Sequence, residues 1–336
     1  MSDTLALDSL EIKNFRAFKH LQIERLARVN LIVGKNNVGK TSLLEALWIY
    51  AEGGSRLTLR RLILSRDEAD ETDLNDSSEL RIEAFNRLFY SKYSNNNSPK
   101  PDQNGSTPAL ITISSLHDDS SSLTLDIDWI TSNSIHGTPI MISPTNNKFI
   151  RANGLNENDI RPLWDNVTLT PREDLVIEAL QIVHPSLKQI NLLDAPRNTA
   201  RRIAKARVAS SNIAIPLRSL GEGMNRMFGL ALALVNAEDG ILLIDEIDTG
   251  LHYSVLTKMW KLVFETAQHL NVQVFATTHS KDCIEAFEQA MRQNNFDDGL
   301  VVKLHAKDNA PGEVEAIVID KDILEVAVRE DIEVRD

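Results

Sequence analysis

The stretch that decides the fold of this chain is residues 34–41, GKNNVGKT. It matches the pattern G-x-x-x-x-G-K-[ST] and lies between a strand-like apolar run, residues 29–33, and a segment with helical spacing, residues 41–51. Glycines at these places let the backbone fold closely around phosphates, with its N–H groups directed inward at a helix N-terminus. The sequence therefore predicts a phosphate-binding loop between a strand and a helix.

The predicted loop supplies ligands for ATP and for Mg²⁺. Lys40 is placed to reach the β- and γ-phosphates, and the Thr41 hydroxyl is placed to ligate the metal ion. The alternative is a glycine-rich turn that happens to precede Lys-Thr, which the strand–loop–helix context disfavours. The predicted nucleotide-binding residues of the loop are Gly34, Asn36, Asn37, Gly39, Lys40, Thr41 and Ser42.

A second signal is an apolar strand that ends in two carboxylates, residues 240–246, GILLIDE. Beside a phosphate-binding loop, such a strand places Asp245 near Mg²⁺ as a metal-site residue, together with Thr41. Glu246 is then placed to orient or deprotonate the water that attacks the γ-phosphate. A strand that ends at exposed acids is common, so the prediction depends on the pairing with the loop.

A histidine follows the next strand-like run, in residues 276–280, ATTHS. Because ligands bind at the carboxyl ends of parallel strands, His279 is predicted to contact the γ-phosphate or the attacking water. The alternative is a surface histidine that caps the next helix together with Ser280. With Glu246 and Lys40, His279 completes the predicted catalytic set.

Composition bounds the class of protein. The chain has 336 residues, 36 Lys+Arg and 48 Asp+Glu, so its formal net charge is −12, and 42% of it is hydrophobic. These values are typical of a globular protein and argue against a surface that coats nucleic acid throughout. Without an apolar run of roughly 18–20 residues or a signal peptide, we expect a cytoplasmic location and no membrane partner. The single cysteine, Cys283, excludes an internal disulfide framework.

The order of strand-like and helical segments predicts two sheets. From residue 223 onward helices and strands alternate, which implies a largely parallel sheet. Strand-like runs at 110–116 and 123–130, and a further pair at 140–142 and 149–150, predict an antiparallel sheet inserted after the first helix. Other predicted helices cover 172–183, 223–237, 253–270 and 281–293, and residues 91–107 are predicted to be a mobile loop.

Loop, acid pair and histidine together resemble the ABC-type ATPase head of transporters and of the SMC and RecF proteins. The resemblance is closer to the ATPase domain of the OLD family (overcoming lysogenization defect) and its short stand-alone relatives. It rests on residues 10–23, 34–47, 219–234, 240–254 and 274–280. It implies an α/β P-loop NTPase, an ABC-ATPase-like bilobed head with an antiparallel β subdomain and a mainly parallel core sheet.

This resemblance implies one bilobed domain over residues 1–336. Residues 1–51 would form the phosphate-loop lobe, and 52–210 an inserted β and helical region that includes the loop 91–107. Residues 211–320 would carry the signature segment, the acid pair and the histidine, and 321–336 an acidic tail.

In such heads two protomers enclose two ATP molecules, so the resemblance implies a homodimer, or a higher homo-oligomer, that forms on ATP. Each protomer supplies its loop on one side and a signature segment on the other, which here is residues 219–223, SLGEG. Ser219, Gly221 and Gly223 would contact ATP on the facing subunit, with Ser219 capping the helix. The alternative is an ordinary capping motif. The glutamine that ABC heads place near Mg²⁺ has no clear counterpart, and Gln181 is one possibility.

A basic run precedes the signature segment. On a helix, Arg197, Arg201 and Lys205 would share one face. With Arg202 and Arg207 they form a candidate contact for nucleic acid, the nucleotide or an acidic partner, and a solvated face is the usual explanation of such a run.

Two functional hypotheses follow. The first is an ATP-hydrolysing OLD-like head that dimerises on ATP and controls a separate effector protein, with a nuclease as a candidate, in bacterial anti-phage defence. OLD proteins usually continue into a Toprim nuclease domain, but too few residues follow 281–293 for one, and Asp320-Lys321-Asp322 is interpreted as a surface turn. The alternative is a RecF- or SMC-like DNA-binding ATPase of DNA repair or chromosome maintenance, and a transporter ATPase is a weaker third interpretation.

Overall fold

The computed structural model describes residues 5–75, 78–90, 110–118, 122–126, 146–194, 202–210, 213–307, 310 and 313–334. Several predictions lie outside these residues: the mobile loop 91–107, the strand near 140–142, and the positions of Arg197 and Arg201.

A six-stranded sheet forms the centre of the fold. Its strands are β3 (Val29–Gly34), β6 (Lys148–Ile150), β10 (Ile241–Ile244), β11 (Gln273–Thr277), β12 (Gly299–Ala306) and β13 (Val314–Ile319). Their order is β13-β12-β3-β11-β10-β6, and every neighbouring pair is parallel except β12 and β13. The predicted, mainly parallel core sheet is confirmed.

A second, four-stranded sheet is antiparallel and has the order β2-β1-β4-β5. Its strands are β1 (Leu10–Phe15), β2 (Phe18–Ile23), β4 (Leu110–Ser114) and β5 (Leu123–Asp126). The predicted antiparallel sheet is confirmed, with two differences. The N-terminal hairpin supplies half of it, and residues 149–150, which were predicted to belong to it, lie in β6 of the core sheet, parallel to β10. A two-stranded hairpin is at best marginally stable alone, so it pairs with the inserted strands.

The described part of the basic run that precedes the signature segment includes a strand. A third sheet contains β7 (Leu187–Asp194), β8 (Arg202–Val208) and β9 (Ile215–Pro216). In β8, Ala206 and Val208 are buried while Arg207 is exposed. Lys205 thus lies on a strand and not on the helix for which the shared face was considered. Residues four apart share a face on a strand as well as on a helix, so the spacing of the charges could not distinguish the two.

Ten helices are present in the described part of the chain. They are α1 (Lys40–Ala51), α2 (Arg56–Leu64), α3 (Glu71–Asn75), α4 (Ser78–Asn86), α5 (Glu157–Asp165), α6 (Arg172–Val183), α7 (Glu222–Val235), α8 (Tyr253–His269), α9 (Lys281–Asn294) and α10 (Lys321–Arg329). The predicted acidic tail 321–336 thus begins with a helix. The Asp320 carboxylate caps it by accepting a hydrogen bond from Ile323 N at 3.1 Å, so this segment is a helix start and not a surface turn.

Two apolar layers cover the two faces of the core sheet. In β10, Leu242 and Ile244 belong to the layer that contains residues of α7, α8 and α9, while Ile241 and Leu243 belong to the layer of α1 and the antiparallel sheet. Each fully buried aliphatic side chain contributes about 1.5–3 kcal/mol, so these four residues fix the strand that ends in the acid pair. No helix in the described residues is both long and apolar enough to cross a membrane.

Candidate functional site

The phosphate-binding loop connects β3 to α1 at the carboxyl edge of the core sheet. Gly34 and Gly39 have φ angles of 143° and 113°, which L side chains rarely adopt. A Cβ atom would lie 2.5 Å from the Leu304 carbonyl oxygen at Gly34 and 2.9 Å from Phe18 Cζ at Gly39. Both glycines are therefore required by backbone conformation and by close approach.

Lys40 bridges this loop from the first residue of α1. Its Nζ donates to the carbonyl oxygens of Gly34 at 2.6 Å and Lys35 at 2.9 Å. Burial lowers the pKa of Lys40 to about 8, against the opposing charges of Asp245 and Glu246. Its ammonium is thus held inside the loop, where phosphate oxygens would replace the two carbonyls.

The lowered pKa of Lys40 predicts how ATP affinity depends on pH. Phosphates favour the charged amine, so binding takes up a proton once the free chain has lost it above pH 8. We expect the Kd for ATP to be flat below that pH and to rise by up to about tenfold per pH unit above it. Calorimetric titrations in buffers of different ionisation enthalpy measure this proton uptake. A Lys148→Met control should keep the same profile, and a flat Kd across this range would contradict the prediction.

The two predicted metal-site residues lie side by side. Thr41 Oγ1 donates to Asp245 Oδ2 at 3.1 Å, and Thr277 Oγ1 donates to Asp245 Oδ1 at 2.7 Å. Within the described residues no cluster of three or more His, Cys, Asp or Glu side chains could hold a metal ion. Since Mg²⁺ usually binds through one or two carboxylates together with substrate phosphates, a hydroxyl beside a single buried carboxylate fits this ion.

Glu246 adopts a backbone conformation that is unusual for its residue type. Its φ is 50°, in the left-handed region, which costs about 1–3 kcal/mol for a residue other than glycine. Its N–H donates to Thr277 Oγ1 at 2.8 Å, and its Oε2 accepts from Thr249 Oγ1 at 3.2 Å. The turn directs consecutive acids apart: Asp245 is buried, whereas the Glu246 carboxylate remains partly exposed.

Thr277 serves both acids, and its removal should affect both. In Thr277→Val the buried N–H of Glu246 loses its acceptor and Asp245 loses a donor. We expect unfolding to become easier by about 1–3 kcal/mol, with a lower kcat for ATP hydrolysis. Urea unfolding and steady-state kinetics measure the two effects. Thr266→Val, at a buried threonine of α8, is the control, and an unchanged kcat in Thr277→Val would contradict the assignment.

His279 faces the acid pair after the end of β11. Its Nε2 lies 3.8 Å from Glu246 Oε1, and its side chain is 41% exposed. Burial, followed by the Lys40 charge, lowers the pKa of His279, so the imidazole is neutral at neutral pH. The cap of α9 is Ser280, whose hydroxyl accepts from Cys283 N at 3.2 Å. The helix therefore does not need the histidine as a cap.

A cavity of about 830 Å³ joins these residues into one site. Of the predicted residues it is lined by Asn36, Asn37, Gly39, Lys40, Thr41, Ser42, Glu246 and His279. It is also lined by four residues that the sequence analysis missed, Ala17, Arg66, Asp248 and Thr249. Asp248 and Thr249 lie within three residues of the acid pair, so adjacency was an available signal. Ala17 lies in segment 10–23, which carries the family resemblance, whereas Arg66 comes from a distant segment without such a signal.

Arg66 is held at this cavity by a buried glutamate of the loop helix. Its Nε donates to Glu45 Oε1 at 2.8 Å, and Arg16 Nε lies 2.9 Å from Glu45 Oε2 as an ion pair. Burial raises the pKa of Glu45, while Arg16, Arg66 and Arg151 oppose the rise. Three arginines thus surround one carboxylate beside the phosphate loop.

The predicted signature segment does not line this cavity. Ser219 lies in a 3-10 helix, Leu217–Leu220, and the residue that precedes α7 is Gly221, with φ 106° and no side-chain capping bond. The expectation that Ser219 caps the helix was therefore wrong, because the 3-10 turn carries the serine away from the first turn of α7. The N–H groups of that turn are left without a side-chain cap.

Gln181 is not at the site either. Its amide donates to the Leu187 carbonyl at 2.8 Å, next to β7. The strand beside the acid strand is β6, where Asp245 N donates to Ile150 O at 2.8 Å. Arg151 follows, with its guanidinium 5.0 Å from the centre of the Phe149 ring. The sequence pattern predicted a strand at 149–150 but assigned it to the antiparallel sheet, so it did not reveal this neighbour of β10.

Comparison with known proteins then gives the family. Residues 29–282 match the model of the family described as "AAA domain, putative AbiEii toxin, Type IV TA system". The chain belongs to this family. The matched range includes the phosphate loop, the acid pair and His279, so the family and the site agree that the chain is a P-loop ATPase of the ABC/AAA type.

Individual relatives support the same class. A protein of Helicobacter pylori named "ATP/GTP phosphatase" is 24% identical over 352 residues, which cover 86% of this chain and 90% of that protein. RecF of Ligilactobacillus salivarius is 34% identical over 86 residues, which cover 26% of this chain and 21% of that protein. The chain thus matches about a fifth of this RecF relative.

Solved structures show the fold of this family member. The structure described as "Crystal structure of the SmcHead bound to the C-winged helix domain of ScpA" has a TM-score of 0.52 at 15% identity and covers 96% of this chain and 99% of that chain. An Smc head with an extended coiled coil, from Pyrococcus furiosus, has a TM-score of 0.51 at 12% identity. The predicted ABC-ATPase-like head fold is confirmed.

Proposed function

We propose that this ATPase hydrolyses ATP with Glu246 as the base, at a site that a second copy of the chain completes. The observation that carries the proposal is the convergence of Lys40, Thr41 and Glu246 on one cavity at the carboxyl edge of the core sheet. Asp245 adjoins this cavity through its hydrogen bond with Thr41. The resemblance to OLD-like ATPases implies a homodimer, and it supports the part of the proposal that concerns the second copy.

Each residue has a role in the proposed reaction. Lys40 and the loop N–H groups bind the β- and γ-phosphates, and Thr41 and Asp245 hold Mg²⁺. When bound, Mg²⁺ neutralises phosphate charge and orients the γ-phosphate. Glu246 accepts a hydrogen bond, and then a proton, from the attacking water. Neutral His279, beside Glu246, donates a hydrogen bond to the γ-phosphate or orients the same water.

The signature segment supports completion by a second copy. Gly221 and Glu222 are exposed, and no side chain caps the first turn of α7. Uncapped N–H groups at a helix N-terminus suit an anion, and this segment does not line the phosphate-loop cavity of its own chain. In the proposed dimer, Ser219, Gly221 and Gly223 meet the γ-phosphate held by the facing loop.

Complementation between two inactive variants tests the shared site. Gly221→Glu places a like charge at the γ-phosphate, and Lys40→Met disables the loop, so each variant alone should hydrolyse almost no ATP. A mixed dimer combines the intact loop of the first with the intact signature segment of the second. We expect mixing to restore about a quarter of the wild-type rate, and mixtures as inactive as their components would contradict a shared site.

The biological role is proposed from the family. Its description names a toxin and a toxin–antitoxin system, which supports control of a separate effector in anti-phage defence. Copurification from native cells with and without ATP tests this role. Recovery of a protein partner whose retention depends on ATP would support it, and recovery of DNA alone would contradict it.

A DNA-binding ATPase of RecF type is the second candidate. The observations that favour it are the local match to RecF and the basic side chains of Lys205 and Arg207 on one face of β8. Arg202 is already paired with Asp165 at 2.9 Å. Salt-sensitive DNA binding that is lost in a Lys205→Glu, Arg207→Glu variant would support this candidate.

A further inference from the structure

Arg226 connects the signature helix to the acid pair. It lies one turn into α7 and is buried. Its Nη2 donates to the carbonyl oxygens of Asp245 at 2.9 Å and Glu246 at 2.7 Å. Its Nη1 donates to those of Arg151 at 3.1 Å and Ala152 at 3.2 Å. One guanidinium therefore donates to four carbonyls. Two belong to Asp245 and Glu246, which form the turn after β10 (the acid turn), and two follow the end of β6.

The acid turn needs such support. A left-handed residue other than glycine persists only where its surroundings hold it. Thr277 holds this turn through two amides: its hydroxyl accepts from Glu246 N at 2.8 Å and its carbonyl from Ile247 N at 3.0 Å. The Glu246 carbonyl is held from the opposite side by Arg226 and by Thr249 N, the latter at 3.1 Å. Release of the arginine would let Glu246 turn away from the attacking water.

The position of Arg226 also relates this turn to the N-terminal end of α7. Arg226 is four residues after Glu222, so both side chains lie on the same face of the helix. The loop after β6 approaches closely, because a Cβ atom at Gly154 would lie 3.4 Å from Arg226 Nη1. A small shift of α7 would consequently move the carbonyls that Arg226 holds.

We propose that Arg226 is a positioning residue that couples contact at the signature segment to the placement of Glu246. This inference rests on the proposed hydrolysis at Glu246. When the facing γ-phosphate draws the N-terminus of α7 toward it, Arg226 sets the acid turn, and the carboxylate of Glu246 reaches the water. The arginine touches neither substrate nor metal, so it acts on the rate through the backbone of the acids.

The test compares Arg226→Ala with Arg28→Ala. Arg28 is also buried, but it lies at the opposite edge of the core sheet, where Nη1 donates to Asn271 Oδ1 at 3.0 Å. Since a misplacement of about 1 Å costs about 100-fold in rate, we expect the kcat of Arg226→Ala to fall by about that factor. The KM for ATP should stay within about twofold, because the phosphate loop is untouched.

Chemical rescue separates positioning from general damage. Methylguanidinium should occupy the space left in Arg226→Ala and raise kcat by about tenfold. It should have no effect on Arg28→Ala, whose kcat should remain that of the wild type. Wild-type kcat in Arg226→Ala, or a loss of kcat that methylguanidinium does not reverse in a folded variant, would overturn the inference.

Arg226→Lys keeps the inference testable if the alanine variant does not fold. One ammonium has three donors and cannot span four carbonyls, so kcat should fall while nucleotide binding persists. Wild-type kcat in this variant would overturn the inference. Failure of the proposed function appears differently, as a Glu246→Gln variant that is as active as the wild type. A wild-type chain without ATP hydrolysis would overturn both.

Discussion

Glu246→Gln is expected to slow ATP hydrolysis by about 10²–10⁴-fold while ATP stays bound. Glutamine keeps the size and the hydrogen bonding of the side chain but cannot accept the proton of the attacking water. The loop, Lys40 and the metal-site residues are unchanged, so binding should persist and the proposed ATP dimer should accumulate. Single-turnover hydrolysis gives the rate, and light scattering with and without ATP gives the mass.

Glu238→Gln is the matched control for this variant. Glu238 lies before β10, at the opposite end of the strand that carries the acid pair, and its partner is Arg172 on the surface. We expect its rate and mass to equal those of the wild type. A Glu246→Gln variant that hydrolyses ATP at the wild-type rate would show that another residue is the base.

Lys40→Met is the second variant with a large expected effect: it should strongly weaken the binding of ATP. The lysine is the buried cation that bridges the loop, and methionine keeps its apolar stem without the charge. Loss of one partner from a buried charge pair costs about 2–5 kcal/mol, so affinity should fall by about 30- to 5,000-fold. Equilibrium titration with a fluorescent ATP analogue measures the loss.

The unfolding temperature of Lys40→Met should show whether the variant loses ATP binding alone or also loses its fold. Since burial penalises the charge of Lys40, Lys40→Met should not lower the unfolding temperature of the free chain. Lys148→Met is the control, because burial lowers the pKa of Lys148 too, yet it lies at the amino end of β6. ATP affinity in Lys40→Met within twofold of that in Lys148→Met would contradict the role given to the loop.

Local patterns predicted the elements that carry the site, because each is a short apolar strand followed directly by polar residues. The phosphate loop after β3, Asp245 and Glu246 after β10, and His279 after β11 are all contiguous with their strands. Parallel strands in one sheet share a carboxyl edge, so their meeting in one cavity followed from the predicted topology. The cavity is lined by residues of the loop, Glu246 and His279, and Asp245 adjoins it through its hydrogen bond with Thr41.

Patterns failed where two structures share a periodicity or where partners are far apart in the chain. The charges of the basic run fit a helix and a strand equally well, and β7 decided in favour of the strand. Ser219 looked like a helix cap, but the 3-10 turn separates it from α7. Arg66 and Arg226 gave no local signal, since their contacts lie 21 and 19 to 75 residues away.

The sequence by itself determined the phosphate loop, the acid pair and the parallel strands whose shared edge brings them together. Backbone conformation and apolar periodicity are local, so a short stretch of residues specifies them. Only the tertiary structure decided what holds these groups in place. The Thr277 hydroxyl bonds to both acids, Glu45 accepts from Arg66, and Arg226 donates to carbonyls at the ends of β10 and β6. The reason is physical, because buried polar groups must be paired, and which partner is within reach depends on how distant segments pack.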